Sequence, residues 1–228
     1  MAGDGSRFGG TFKPFLKVKD EFFIEASLRP FIKWKKFIKE FVFIFREDQE
    51  RKYKVSTNLK SLFPDLNISS VILPKKTSGP VETVIQAIEE KNLFSAAIFC
   101  DCDHSVNVDP IFKLITSDNQ IECIIPAWTI GSKEFKSWSI VSLDHTGKIL
   151  DISEKQKPKE GVNYFGIIGS YYFKDNRKVV QLYKEFKFEN FSEVIKEFSK
   201  EGRKISICHI KKARFFGDPK RLNTHLEC

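Results

Sequence analysis

Asp101 and Asp103 stand one residue apart where an apolar run, Ser95 to Cys100, comes to an end. Carboxylates at a strand end are hard oxygen donors of the kind Mg²⁺ shares with substrate phosphates. An isolated acidic pair more often caps a helix or solvates a loop, but its place beyond an apolar strand favours the ligand reading. Asp103 is the expected direct ligand, and Asp101 either orients it or holds a ribose. The neighbouring His104 reads as a local hydrogen-bonding group. A second feature points to the same chemistry. The run Met1-Ala2-Gly3-Asp4-Gly5-Ser6-Arg7-Phe8, followed by Lys13-Pro14-Phe15-Leu16, is a glycine-rich turn with an arginine in it and a lysine just beyond. Glycines let consecutive N–H groups converge on an anion, and Arg7 and Lys13 add the charge a triphosphate needs.

Further positions could serve the other substrate groups. Thr77-Ser78-Gly79-Pro80 reads as a loop and helix start, with Ser78 able to cap and Pro80 at the first helical position. A glycine there also allows a base or ribose to lie against the backbone, with Thr83 one turn on. Glu154-Lys155 ends the strand begun at Ile149, and Asn163 and Gly166 open the next. A lysine facing a cleft can grip an acceptor phosphate, and Gly166 can leave room for the acceptor's skeleton. Trp128 and Trp138 read as core or cleft wall. Cys100, Cys102, Cys123, Cys208 and Cys228 lack paired C-x-x-C spacing. Reduced packing thiols fit them better than a disulfide framework or a metal-thiolate site.

Positioning these groups requires a sheet. Residues 40–46, 68–73 and 95–100 are short apolar runs of the kind found in strands covered on both faces, and Ile24–Phe37 and Pro80–Lys91 carry apolar residues at helical spacing. A right-handed β-α-β-α-β wrap follows. Strands are predicted next over Ile121–Ala127, Trp138–Leu143, Ile149–Glu154 and Phe165–Phe173, with a tight turn at Asp144-His145-Thr146-Gly147. Helices over 176–186 and 190–201, a strand over 204–211 and a helix over 219–226 complete the chain. No repeat or long linker interrupts it, so residues 1–228 are expected to form one domain. In such folds ligands collect beyond the carboxyl ends of the strands, where the motifs fall.

The composition fits. With 228 residues, 41% hydrophobic and 30% charged, the chain is long enough for a substantial core. No stretch approaches the roughly 18 apolar residues of a membrane span and the start is unlike a secretory signal, so the cytoplasm is the expected compartment. The formal charge of +8 comes from 38 basic and 30 acidic residues spread over the whole chain. That scatter predicts no nucleic-acid partner, as the missing span predicts no membrane partner, and a local excess suffices to steer a polyanionic small substrate.

Taken in order, the glycine loop, Lys13-Pro14-Phe15-Leu16, Ser78-Gly79-Pro80-Val81-Glu82-Thr83, Asp101-Cys102-Asp103, Lys136-Ser137-Trp138-Ser139, Ile152-Ser153-Glu154-Lys155 and Gly217-Asp218-Pro219 resemble the sugar-phosphate nucleotidyltransferase family. The resemblance runs over nearly the whole chain and is nearest the branch of capsule and lipopolysaccharide biosynthesis. It implies an α/β fold, a single Rossmann-like domain with a central mixed, mostly parallel sheet flanked by helices. It implies Mg²⁺-dependent transfer of a nucleoside monophosphate from a triphosphate to a phosphorylated acceptor, with release of pyrophosphate. Carried over by motif, Ala2, Gly3, Gly5, Ser6 and Arg7 cradle the triphosphate, Lys13 neutralises the reacting phosphate, and Gly79, Thr83 and Asp101 border the nucleoside. Asp103 holds Mg²⁺, and Glu154, Lys155, Asn163 and Gly166 line the acceptor side. The sequence departs from the family in three places. The loop between Arg7 and Lys13 is short, with Phe12 where a proline is common. Phe215 and Phe216 occupy the stretch that in many relatives holds a second metal-binding aspartate, leaving Asp218 as the nearby substitute. No strand precedes the glycine loop, so a short apolar strand is expected upstream of Met1. The alternatives are a metal-dependent GT-A-like glycosyltransferase, since Asp101-x-Asp103 also suits a nucleotide-sugar diphosphate, and a degenerate nucleotide-binding regulator.

Overall fold

β-branched and aromatic residues in short runs, punctuated by turn signals such as Gly79-Pro80 and Asp144-His145-Thr146-Gly147, set the element order. The structure, a computed structural model, describes residues 1–226, with side chains through Leu222; Cys228 lies outside the described residues. In chain order the elements are β1 (Lys17–Val18), β2 (Glu21–Phe22), α1 (Phe23–Ile32), β3 (Phe41–Arg46), α2 (Glu47–Tyr53), α3 (Val55–Leu62), β4 (Ile68–Leu73) and α4 (Pro80–Lys91). There follow β5 (Ala97–Cys100), β6 (His104–Val106), α5 (Asp109–Ser117), β7 (Cys123–Trp128), β8 (Ser139–Leu143), β9 (Ile149–Glu154), β10 (Asn163–Ile167) and β11 (Ser170–Phe173). The last are α6 (Asn176–Phe186), α7 (Phe191–Lys200), β12 (Ile205–His209), β13 (Ala213–Phe215) and α8 (Pro219–Leu226). No described helix is long and apolar enough to cross a membrane.

These elements pack into two compact units. The first gathers Met1–Thr77, Asp101–Val108 and the segment from Lys212 on; the second gathers Ser78–Cys100 and Asp109–Lys211.

In the first unit β3 and β4 pair in parallel, Phe41 opposite Ile68 through Arg46 opposite Leu73. Parallel neighbours need a crossover, and α2 and α3 supply it. Alternate β3 residues Phe43 and Phe45 are buried with Phe12, Ile24, Val55, Leu59 and Phe63. β6 and β13 pair antiparallel, placing Phe215 opposite His104, and the next residue, Phe216, is fully buried with Val18, Phe23 and Ala26. The predicted helix over Ile24–Phe37 stops at Ile32 and resumes only as a 3-10 turn at Lys35–Phe37. Pro30 explains the early end, because its ring and missing N–H disrupt the last helical turn.

In the second unit the strand order is β5-β11-β7-β10-β8-β9, with β12 on the other edge of β7, seven strands in all. The α/β class and the mixed central sheet are as the sequence implies. The balance of directions differs from the mostly parallel expectation: five ladders in this sheet are antiparallel and only β12 with β7 is parallel. Short returns such as the Asp144–Gly147 turn can join only antiparallel neighbours, whereas β12 arrives after the α6 and α7 crossover. The expected strand Phe165–Phe173 divides at Ile168, whose amide donates to the Pro126 carbonyl at 2.8 Å as β10 gives way to β11 along β7. Val81, Ile85, Ile125, Val141, Phe173, Val194 and Phe198 form the core between the sheet and α4, α6 and α7.

Candidate active site

The glycine loop of the first unit folds into a 3-10 turn, Ser6–Phe8, bounded by Gly5 and Gly9 at φ 63° and 64°. The amides of Phe8, Gly9, Gly10 and Thr11 are spent inside the loop on the carbonyls of Gly5, Ser6 and Phe8. Among the described residues, the amides of Gly3, Asp4, Gly5, Ser6 and Arg7 make no hydrogen bond. A run of unspent amides in a glycine turn is what an anion needs. Ser6 and Arg7 are exposed, and Arg7 forms no ion pair among the described residues.

Residues that the sequence reading did not single out hold this loop in place. Arg46, at the end of β3, donates through Nη1 to the Ala2 carbonyl at 2.6 Å and to Asp4 Oδ1 at 2.7 Å, and its Nε reaches Asp48 at 2.9 Å. Gln49, at the start of α2, accepts from the Arg46 amide and donates through Nε2 to the Gly3 carbonyl at 3.0 Å. Lys76 also pairs with Asp4. No helix over Glu47–Tyr53 is read from the sequence, so neither α2 nor its use as a loop anchor was anticipated.

Gly5 is the position that only glycine fits. Its φ is 63° and an added Cβ would lie 1.9 Å from the Thr11 carbonyl oxygen, whereas one on Gly3 would meet nothing within 4 Å. Gly5→Ala is therefore expected to open the loop, at about 2 kcal/mol in denaturant melts, while Gly3→Ala leaves the midpoint unchanged.

Lys13 links the loop to the acidic cluster. Its Nζ lies 6.0 Å from the centroid of the Phe8 ring and donates to Asp103 Oδ2 at 2.8 Å, with both side chains mostly buried. Asp101, Asp103 and His104 each offer a ligand atom, all within 4.8 Å of one another. This group could hold a metal ion, and its two carboxylates suit a hard divalent cation. The sequence reading left His104 out of the set. It is buried, with Nδ1 3.9 Å from Asp103 Oδ1. Burial opposes ionisation of Asp103, but His104 and the Lys13 ammonium outweigh it and hold the carboxyl well below its usual range. Asp101 keeps solvent access, yet the protein packed around it and the Asp103 charge push its carboxyl up to about 6. Between them Cys102 packs against the apolar cluster of Phe12 and Phe43, and burial pushes its thiol up to about 12. A protonated packing thiol is the result.

Asp218 is not in the three-residue group. It precedes α8, accepting from the Arg221 amide at 3.0 Å and facing Arg221 Nε at 3.4 Å. The chain nevertheless runs against the site just before it: the Phe216 amide donates to the Asp103 carbonyl at 3.0 Å, and a Cβ on Gly217 would lie 2.7 Å from Asp103 Oδ2. Phe215 keeps its ring 6.4 Å from the His104 ring.

The second unit carries the remaining positions. Gly79 caps α4, and an added Cβ would lie 2.4 Å from the Glu189 carbonyl oxygen, so its bareness serves packing on the α6–α7 turn. Thr83 donates through its hydroxyl to the Gly79 carbonyl at 3.1 Å. The Glu154 carboxylate accepts from Ser139 and from Ser192, the latter at 2.9 Å, and lies 3.3 Å from Lys155 Nζ. Lys155 has φ 53° and a half-exposed side chain. Asn163 is exposed at the start of β10. Gly166 carries the Trp138 indole across it, 2.8 Å from where a Cβ would stand. The space opened by this glycine is thus filled by the tryptophan.

No family model matches the sequence, and no curated protein matches it. Solved structures do resemble the fold. A nucleoside-diphosphate-sugar pyrophosphorylase from Vibrio cholerae superposes with a TM-score of 0.79 at 20% identity, covering 100% of this chain and 98% of that one. The inositol-1-phosphate CTP transferase of T. maritima gives 0.74 at 14% identity, covering 99% and 93%. A UTP-bound UGPase from Acinetobacter baumannii gives 0.73 at 13% identity, covering 99% and 90%. The chain accordingly has the fold of the sugar-phosphate nucleotidyltransferases.

Proposed function

We propose that the protein is a nucleotidyltransferase that moves a nucleoside monophosphate from its triphosphate to a sugar phosphate or similar phosphorylated metabolite, in the making of surface polysaccharide. The observation that carries this reading is the glycine turn with five unspent amides, next to a lysine paired with a carboxylate cluster. Such a turn is built for a polyphosphate, and the fold supports the assignment. Gly3, Gly5 and Ser6 present the amides, with Ala2 buried beneath them, and Arg7 adds charge to the departing pyrophosphate. An acceptor phosphate oxygen attacks the α-phosphorus as the bond to the bridging oxygen breaks and pyrophosphate leaves. No covalent enzyme intermediate is involved. Lys13 turns from Asp103 to the α-phosphate and neutralises charge that grows in the transition state. A Mg²⁺ ion held by Asp103 with Asp101 supplies further neutralisation of the triphosphate when bound. Gly79 and Thr83 border the base. Lys155, oriented by Glu154, contacts the acceptor phosphate with Asn163, and Gly166 seats Trp138 as the wall.

Asp218 is proposed as a third aspartate ligand beside Asp103 and Asp101, since Gly217 brings the chain against Asp103. Asparagine caps helices as well as aspartate does, so Asp218→Asn is expected to leave thermal stability unchanged while raising the metal concentration needed for half-maximal turnover about tenfold. An unchanged metal titration leaves Asp103 and Asp101 as the aspartate ligands.

The glycosyltransferase reading draws on the Asp101-x-Asp103 pair, and the regulator reading on Phe215 and Phe216. A pyrophosphate-release screen decides among them, crossing the common nucleoside triphosphates with sugar phosphates, phosphocholine and other small phosphorylated acceptors. Pyrophosphate released only when an acceptor is present supports transfer. Sugar transfer from a nucleotide sugar, or nucleotide binding without turnover, refutes it.

A further inference from the structure

Beyond α1 the chain reads Phe31-Ile32-Lys33-Trp34-Lys35-Lys36-Phe37-Ile38-Lys39. Phe37 is 70% exposed, the most exposed large hydrophobic side chain among the described residues. It closes the 3-10 turn Lys35–Phe37, with its ring 5.7 Å from that of Trp34. Lys33, Lys35, Lys36 and Lys39 are all exposed around it. Lysines elsewhere are commonly matched, as Lys76 is with Asp4, Lys184 with Glu89 and Lys196 with Asp151. Lys35, Lys36 and Lys39 form no ion pair among the described residues.

The turn is held firmly. Trp34 and Phe37 amides donate to the Phe31 and Trp34 carbonyls at 2.9 and 2.8 Å, and Asn67 Nδ2 donates to the Lys39 carbonyl at 2.8 Å. It rims a groove of about 250 Å³ lined by Lys35, Lys36, Ile38, Phe41, Leu66 and the acidic Asp65.

We propose that this turn docks the protein on a membrane surface containing anionic phospholipid. Phe37 enters the boundary between headgroups and acyl chains, and the lysines face the lipid phosphates. An aromatic tip flanked by Lys35, Lys36 and Lys39, which form no ion pair among the described residues, matches such an interface in both polarity and charge, because lysine stems cover apolar surface while their ammonium groups stay among the phosphates. Ile38, Phe41 and Leu66, which line the groove beside the tip, give an acyl chain apolar surface to meet. The expectation of no membrane partner rested on the lack of a spanning segment, which surface docking does not need. The proposal is independent of the reaction proposed above.

The test is co-sedimentation of the full chain with vesicles of phosphatidylcholine alone or mixed with phosphatidylglycerol, at low and high salt. The wild type is expected to sediment with the mixed vesicles only, and less so at high salt. The double variant Lys35→Glu, Lys36→Glu is expected to lower the partition coefficient on the order of a hundredfold, and Phe37→Ser about tenfold. Both changes fall on exposed side chains, so a thermal melt should not move. Failure of the wild type to bind, or equal binding by all three proteins, overturns the proposal. So does retention of a single-stranded oligonucleotide through the same lysines without vesicle binding.

Discussion

Lys13→Ala is expected to slow nucleotidyl transfer on the order of a hundredfold or more, with folding nearly intact, and to tighten the binding of a divalent cation in the absence of nucleotide. The first effect follows from removing a charge placed to act on the reacting phosphate. The second follows from the ion pair itself. Lys13 Nζ sits 2.8 Å from Asp103 Oδ2, so a metal ion approaching that carboxylate must displace an ammonium already there. Without the lysine that competition disappears, and Mn²⁺ titrated calorimetrically should bind roughly tenfold more tightly. A variant that turns over like the wild type takes Lys13 out of the reaction. Unchanged Mn²⁺ affinity removes the competition, whatever happens to the rate.

Asp103→Asn is the second large effect, expected to lower metal-dependent turnover at least a hundredfold while nucleotide affinity measured in chelator stays within about twofold. The amide keeps the shape of the side chain and its contact with Gly217, but not the anionic oxygen. It also leaves Lys13 without its partner, so a modest loss of stability is expected alongside. Equal losses of nucleotide binding with and without metal would mean that Asp103 acts on the loop and not on a cation.

Much of the fold was legible because its signals are local. β4, β9, α4 and α6 begin and end where apolar runs, Gly79-Pro80 and Asp175 place them. α2 and α3 were missed for a physical reason. In Glu47–Tyr53 only Gln49 is buried, and Lys54 at φ 49° separates it from Val55–Leu62, so neither shows a long apolar stripe. α5 was also passed over, although Asp109-Pro110 is a helix-start signal and Ile111 and Phe112 are buried. The candidate site divides in the same way. A glycine turn and an alternating aspartate pair announce themselves, and Gly5 is where the backbone demands glycine. Arg46 and Gln49 hold that turn from more than forty residues away, a contact no local pattern encodes. Gly79 and Gly166 were read as space for a ligand. Each is a place where another part of the protein, the Glu189 backbone or the Trp138 ring, comes close.

The central claim concerns which phosphorus is attacked, and isotopic labelling reads that directly. The protein would be given a nucleoside triphosphate labelled at either the α- or the γ-phosphorus, together with an acceptor that supports pyrophosphate release. The account predicts that α-label appears in the joined nucleotide–acceptor product and γ-label in pyrophosphate, with both signals lost in Lys13→Ala. Label from the γ-position in orthophosphate or in the acceptor, or α-label confined to unreacted triphosphate, would contradict it.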